Sequence, residues 1–237
     1  MVTGAAGKVG QAFLQRLAGS EHHNGWKIRA FCHNRPIATD HRTEVVFGNL
    51  SQRADVAQAC QGVTHVVHLA TCKETPDDIM DVAVKGFFWL LEECRQRSGF
   101  QRMVLVGGDA AIGHFFYRRT EPLVESQPFR AYPGCYALSK VLEETMLEQY
   151  RIQYGLDACC LRAPWIMEKD DFRYTLSFGD DVFGGPRWRD LVGAAVADQY
   201  REEGRLPVLC DPDGNPIRRN FVHVDDLAEA ILTSLDH

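Results

Sequence analysis

The chain opens MVTGAAGKVG, a strand end running into Gly4, Gly7 and Gly10 and then into a helical pattern. Three glycines at three-residue spacing between a strand and a helix leave the backbone few options. The first permits a turn that other residues resist, the second leaves bare backbone beside a ligand, and the third lets the helix pack tightly on the strand. Amides at the helix start then face an anion. A glycine triplet alone is equally consistent with a plain tight turn, so its meaning depends on the pattern of the later segments.

Beyond the glycines, short strands alternate with helices. Strand patterns occur at Met1–Thr3, Lys27–Cys32, Val45–Phe47, His65–Leu69, Arg102–Val106 and Ala158–Arg162, several of them nearly continuous in apolar and β-branched residues. Such runs suit strands buried on both faces. Helical patterns lie between them at Val9–Leu17, Asp55–Ala59, Asp78–Gln96 and Tyr136–Tyr154. This rhythm predicts an α/β fold, a doubly wound parallel sheet with helices on both faces. With that context the opening reads as a dinucleotide cradle made of Gly4, Ala6, Gly7, Lys8, Val9 and Gly10.

After Arg162 the rhythm breaks. Residues 163–219 mix Gly, Pro, aromatic and charged side chains, with one helix expected at Trp188–Arg201 and a short strand at Leu206–Leu209. The expected organisation is a dinucleotide-binding domain over 1–162, a small C-terminal substrate-binding subdomain over 163–219, and a strand–helix segment over 220–237 that returns to the sheet. Asp225 and Asp226 stand at the start of that last helix, where carboxylates favour the amide dipoles.

Composition sets limits on partners. The chain has 237 residues, 45% hydrophobic and 24% charged, with 32 acidic against 26 basic side chains and a net charge of -6. That is a globular composition without the basic footprint of a nucleic-acid or anionic-membrane binder. No run reaches the ~20 apolar residues of a membrane span, and no basic segment leads into an apolar core at the start. The eight cysteines, at 32, 60, 72, 94, 135, 159, 160 and 210, form no CxxC pair. They are expected to be reduced and mostly buried in a cytoplasmic protein, without a zinc site or any other metal.

Two further features carry chemistry. An NAD site usually places an acidic residue ~20 positions after the glycines, on the ribose 2′-hydroxyl. Here the second strand ends in Cys32-His33-Asn34-Arg35 without a carboxylate. Arg35, with Arg29 or His33, either faces a 2′-phosphate or stands as a solvated loop residue. The pattern leans to NADP and leaves NAD open. Farther on, Tyr136 and Lys140 share one face of a helix at i,i+4 spacing. A neighbouring ammonium favours phenolate, so the spacing predicts a phenol pKa lowered from ~10 toward neutrality. Such a tyrosine exchanges protons with a hydroxyl or carbonyl while hydride moves to or from a nicotinamide.

Gly4/Gly7/Gly10, His68-Leu69-Ala70-Thr71, Tyr136/Lys140 and Phe221-Val222-His223-Val224-Asp225-Asp226, in that order, resemble the extended short-chain dehydrogenase/reductase superfamily. Within it the chain is most similar to the NAD-dependent epimerase/dehydratase family of nucleotide-sugar enzymes, over nearly its whole length. The resemblance implies a Rossmann domain and a role for each matched position. Asn49 and Leu50 would lie by the adenine, and Leu69, Ala70 and Thr71 by the cofactor ribose and phosphates. Val106 would border the cofactor, and Ala163 and Pro164 the nicotinamide. Tyr136 would be the acid/base and Lys140 would hold the nicotinamide ribose. A homodimer through Asp78–Gln96 and Tyr136–Tyr154 is also implied.

The chain departs from the family pattern at chosen points. Where a Ser or Thr hydroxyl is expected after the fifth strand, the alignment of Gly113 places Gly108. Where an asparagine is expected in the preceding helix stands Ala83. Losing one transition-state hydrogen bond costs ~10²–10³ in rate. By resemblance Asp109 occupies the position of an acid in the family's sugar dehydratases; it is either the replacement, ahead of Thr71 and His114, or a plain loop carboxylate. Arg218 and Arg219 either clamp a substrate diphosphate, since guanidinium forks suit phosphate oxygens, or stand as an exposed basic loop. Plainer readings cover Phe87, Phe88 and Trp89 as core or dimer contacts, Cys135 as packing, and His223 and Asp225 as turn supports.

The resulting expectation is an NAD(P)-dependent epimerase, dehydratase or reductase acting on a small hydroxyl- or keto-bearing substrate, with a nucleotide sugar first in line. A cofactor-binding sensor or scaffold with little catalysis and a reductase of a non-sugar carbonyl are the alternatives. The first strand is a stub, and the chain stops soon after the FVHVDD segment. The resemblance therefore predicts a trimmed chain.

Overall fold

A computed structural model describes residues 1–113, 116–117, 119–168, 188–205, 208, 210, 212–216 and 220–236. These fall into two compact units, Met1–Pro164 with Val224–His237 and Trp165–His223. His114, Arg218, Arg219 and most of the Leu206–Leu209 strand lie outside the described residues.

The first unit is built on six parallel strands. They are β1 (Val2–Thr3), β2 (Ile28–Cys32), β3 (Thr43–Phe47), β4 (His65–His68), β5 (Arg102–Gly108) and β6 (Ala158–Ala163). Their order is β3-β2-β1-β4-β5-β6, reversing between β1 and β4. In sheets of this kind ligands bind beyond the carboxyl ends of the strands at that reversal. The register places Val2 beside both Ala30 and Val67, and Gly108 beside Ala163.

Helices cover both faces because both faces of the sheet are apolar. On one face α2 (Arg53–Ala59), the four-residue turn α3 (Pro76–Ile79), α4 (Gly86–Arg95) and α5 (Cys135–Tyr154) pack together. Their buried Val56, Phe87, Leu90, Leu91 and Leu147 meet Phe31, Val66, Met103 and Leu105 of the strands in one core. A fully buried Phe or Leu contributes about 2–3 kcal/mol, so this contiguous layer dominates stability. On the other face α1 (Lys8–Ala18) lies alongside the C-terminal helix, which also touches β5 and β6. Two contacts from the carboxyl end of α1 and the turn after it fasten that pair. Arg16 bonds Glu229, and His23 Nε2 meets Asp236 Oδ1 at 3.0 Å.

The second unit contains β7 (Trp165–Met167), α6 (Trp188–Val192), α7 (Ala194–Glu202) and β8 (Phe221–His223), before α8 (Val224–Asp236) rejoins the first unit. Two expectations change here. The helix expected over Trp188–Arg201 is two helices, because Gly193 between them takes φ 84, outside helical space. The strand of the last segment pairs in parallel with β7 rather than joining the six-stranded sheet; only its helix returns there.

The long Asp78–Gln96 pattern is also interrupted. Met80–Lys85 forms a π-helical turn between α3 and α4, with Ala83 fully buried inside it. Cysteines differ in degree: all eight are free thiols, but only Cys32, Cys60 and Cys94 are buried. Among the described residues no helix is long and apolar enough to cross a membrane.

Candidate active site

The glycine turn sits where β1 ends, and each glycine answers to a separate constraint. Gly4 takes φ 67, and a Cβ there would lie 2.8 Å from Ala70 N and Leu69 C, so the turn presses on the end of β4. A Cβ on Gly10 would lie 2.5 Å from Gly4 O and 2.6 Å from Ala5 O, so α1 packs directly on the turn. Gly7 precedes the helix, and its missing Cβ would approach only Gly4 O, at 3.2 Å. No side chain caps α1, and its first turn holds no acid. First-turn amides have no helical carbonyl to bond, so this bare, uncapped terminus between Ala6, Lys8 and Val9 fits a pyrophosphate.

Neighbouring strand ends complete one side of the cradle. Thr3 Oγ1 accepts from Leu69 N and Ala70 N, each at 3.2 Å, and its own proton therefore goes to His68 Nδ1 at 2.8 Å. That network assigns the imidazole proton to Nε2. His68 is buried against Phe87, and burial, with Lys140 adding to it, lowers its pKa to about 3. Thr71 is exposed, its hydroxyl donating to Cys72 O at 3.3 Å. The Asn49–Leu50 loop is held by its own bonds. Asn49 N donates to Asp55 Oδ2 at 2.8 Å, Asn49 Oδ1 accepts from Ser51 N at 2.9 Å, and Leu50 is buried.

His33 and Arg35 are exposed just beyond β2. Arg29 is removed from the set of 2′-phosphate candidates. Its guanidinium is already committed to Ala59 O, Gln61 O and Glu44.

Tyr136 and Lys140 rise from the first turns of α5, with Lys140 Nζ 5.6 Å from the centroid of the Tyr136 ring. The shared helix face is as the spacing predicts. The charge state is not. Burial pushes the Tyr136 phenol above its ordinary value, and although Lys140 opposes that rise, Glu143, Asp109 and Glu74 add to it. Glu143 is the unexpected member. Its Oε2 accepts from Lys140 Nζ at 2.8 Å, and both side chains are almost wholly buried. Burial disfavours the Lys140 charge, yet Glu143 and Tyr136 beside it outweigh burial and hold its proton more firmly than usual.

Gly108, Asp109, Val106, Ala163 and Pro164 lie at the neighbouring ends of β5 and β6. A Cβ on Gly108 would find Ala110 N at 3.8 Å, Ala163 O at 3.9 Å and Lys140 Cγ at 3.9 Å. The position lacks a side chain but has room for one. Asp109 starts a 3-10 turn through Ile112 and is close enough to act on the Tyr136 charge. Glu74, from the loop after β4, bonds the amides of Cys135 and, at 3.3 Å, Tyr136. It therefore supplies α5 with the acid that its own first turn lacks.

The glycine turn, Tyr136 and Lys140 stand out in the sequence, whereas Glu143, Glu74 and Thr3 do not, and His68 does so only as part of the His68-Leu69-Ala70-Thr71 motif. Glu143 had a usable signal: it lies three residues after Lys140 and seven after Tyr136, on the same helix face. Glu74 had none, being 61 residues from the helix it caps. A cavity of about 570 Å³ opens elsewhere, lined by Trp26, Lys27, His65 and Gln101 among others. Those residues lie at the amino ends of the strands, opposite the glycine turn, so this hollow is not the candidate site.

Comparisons with known proteins bear on the family and the fold. The chain is 27% identical over 164 residues to uronate dehydrogenase of Pseudomonas putida, covering 68% of this chain and 59% of that protein. It is 25% identical over 179 residues to a cinnamoyl-CoA reductase of Medicago truncatula, covering 66% and 54%. The chain thus spans somewhat over half the length of the curated relatives it matches. Among solved structures, a short-chain dehydrogenase/reductase superfamily protein from Agrobacterium tumefaciens with bound NAD superposes with TM-score 0.78 at 25% identity, covering 100% of this chain and 73% of that one. UDP-glucose 4-epimerase of Thermus thermophilus, in complex with NAD, has the same fold, with TM-score 0.69, 24% identity, and 100% and 74% coverage. The model of the NAD dependent epimerase/dehydratase family matches residues 1–237, and the chain belongs to that family.

Proposed function

We propose that the chain is a nicotinamide-dependent enzyme that moves a hydride to or from a hydroxyl- or keto-bearing small molecule, with Tyr136 moving the proton. A nucleotide sugar is the first substrate class to test, since related solved structures include a UDP-glucose epimerase and a dTDP-glucose dehydratase. The observation that carries the reading is the pairing of half-buried Tyr136 with buried Lys140 beside Gly108 and Asp109, on the same strand ends as the glycine turn.

When bound, the nicotinamide supplies the hydride donor or acceptor. Gly4, Gly7, Gly10 and the α1 amides would hold its pyrophosphate. Asn49, Leu50, Leu69, Ala70, Thr71 and Val106 would border its adenosine side, with Ala163 and Pro164 at the nicotinamide. His33 and Arg35 keep the lean toward a 2′-phosphate, with NAD as the other form. Lys140 would bind the ribose hydroxyls with the N–H groups that Glu143 leaves free. Tyr136 would give its proton to a carbonyl oxygen as hydride arrives, or take one from a hydroxyl as hydride leaves. Asp109 follows the vacant Gly108 position and acts on the Tyr136 charge, and it would orient the substrate oxygen. Arg218 and Arg219 remain assigned to a diphosphate, and residues 163–219 to the substrate side.

Reduction of a non-sugar carbonyl is the second reading, and one feature favours the reductive direction it needs. A phenol that keeps its proton is a donor, and proton donation belongs to the reductive direction. A sensor without turnover is disfavoured by the retention of both Tyr136 and Lys140. We place the protein in the cytoplasm, as a dimer through α4 and α5. Phe88, Leu138, Ile152 and Tyr154 are exposed apolar side chains of those helices, and sedimentation giving only a monomer would remove the dimer.

Identification of the nucleotide carried by the purified protein tests the cofactor. Hydride exchange from NADH and NADPH to a panel containing UDP-glucose, dTDP-glucose and simple carbonyls tests the substrate class. Tight cofactor binding without exchange to any of them would contradict an enzyme.

A further inference from the structure

Glu143 is costly to keep where it is. It is fully buried, and its Oε1 has no hydrogen-bond partner among the described residues, while Oε2 meets Lys140 Nζ at 2.8 Å. A buried ion pair returns little net stability against an apolar pair of the same volume. Its effect is on its surroundings. In a water-poor site, a carboxylate beside an ammonium cancels most of the field that the ammonium projects onto a third group. That third group here is Tyr136, whose ring centroid is 5.6 Å from the same Nζ.

We propose that Glu143 is a positioning residue for the Tyr136–Lys140 pair: its carboxylate fixes the Lys140 ammonium by a buried ion pair and withholds that positive charge from the phenol. Every charged neighbour of Tyr136 bears on this. Lys140 is the cation facing it, and Glu143, Asp109 and Glu74 are the acids. Lys140 itself is faced by Glu143, Tyr136 and Cys160, with His68 close by, and Glu143 by Lys140 and Cys72. One ammonium thus stands against three carboxyl groups, and the nearest of them is bonded to it. Tyr136 in this chain is set as a proton donor.

The inference rests on Tyr136 as the proton-transfer group, but its test needs neither substrate nor cofactor and can fail while that assignment stands. Tyrosinate formation is followed by near-ultraviolet absorbance in the wild type and in Tyr136→Phe, the difference isolating Tyr136. The expected midpoint is at or above the ~10 of a free phenol. In Glu143→Gln the midpoint should fall by about one pH unit or more. In Glu143→Asp, which keeps the charge on a shorter arm, it should return most of the way. A wild-type midpoint near neutrality would overturn the inference without any Glu143 variant. So would a folded Glu143→Gln whose Tyr136 titrates as in the wild type, since a merely structural ion pair leaves that midpoint unmoved. Should Glu143→Gln fail to fold, the wild-type midpoint and Glu143→Asp decide.

Discussion

Gly108, proposed to stand where the family pattern has a hydroxyl, carries no side chain, yet the space for one remains. The nearest atom to an added Cβ is 3.8 Å away, and φ is -156, extended backbone that any residue adopts. Gly108→Ser should therefore fold normally and raise hydride transfer about tenfold or more, recovering part of the ~10²–10³ that one such bond supplies. Steady-state rates with the best panel substrate check this, and an unchanged or lower rate would mean that Gly108 is not the vacant position. His68 gives a second residue-level expectation. In the fold its pKa is about 3, against ~6.5 unfolded, so only the unfolded chain takes up the proton between those values. Stability from this group is complete above pH ~6.5 and falls by about 1.4 kcal/mol per pH unit below it. Denaturant midpoints at pH 7 and 5 should fall more steeply for the wild type than for His68→Asn. At this scale the sequence shows spacing but not burial. Tyr136 and Lys140 were therefore legible as a pair, while the direction of the phenol's shift was not.

Among the elements, α5 carries the most chemistry and begins without an acid or a side-chain cap of its own. Glu74 provides both from the loop after β4. Glu74→Ala should cost about 0.5–1 kcal/mol, the lower part of the capping range because the carboxylate is exposed. Thermal unfolding reads the loss, and an unshifted transition would deny the cap any energetic role. The strands and helices of the first unit were legible to within a few residues because apolar runs and 3.6-residue patterns are local signals. Two features escaped. The π turn at Met80–Lys85 preserves the helical apolar pattern and so has no signature in it. The break at Gly193 did have one, since glycine inside a helix costs about 1 kcal/mol relative to alanine and readily takes positive φ.

Across the whole molecule, six parallel strands in the order β3-β2-β1-β4-β5-β6 bring positions 4, 70, 109, 136, 140 and 163 to the carboxyl end of one sheet. No two of the strands that carry them need be long. The chirality of βαβ connections and the reversal of strand order do the assembling. This much of the candidate site was readable from motif order. The proposed substrate side, residues 163–219, was not, because that stretch of sequence carries few periodic signals. The central claim is that Tyr136 moves the proton while a bound nicotinamide exchanges hydride with substrate. Its most direct test is single-turnover hydride exchange in wild type and Tyr136→Phe, with cofactor affinity measured in parallel. Exchange should fall ~10²-fold or more in Tyr136→Phe with affinity little changed. Exchange that survives at the wild-type rate in Tyr136→Phe would contradict it.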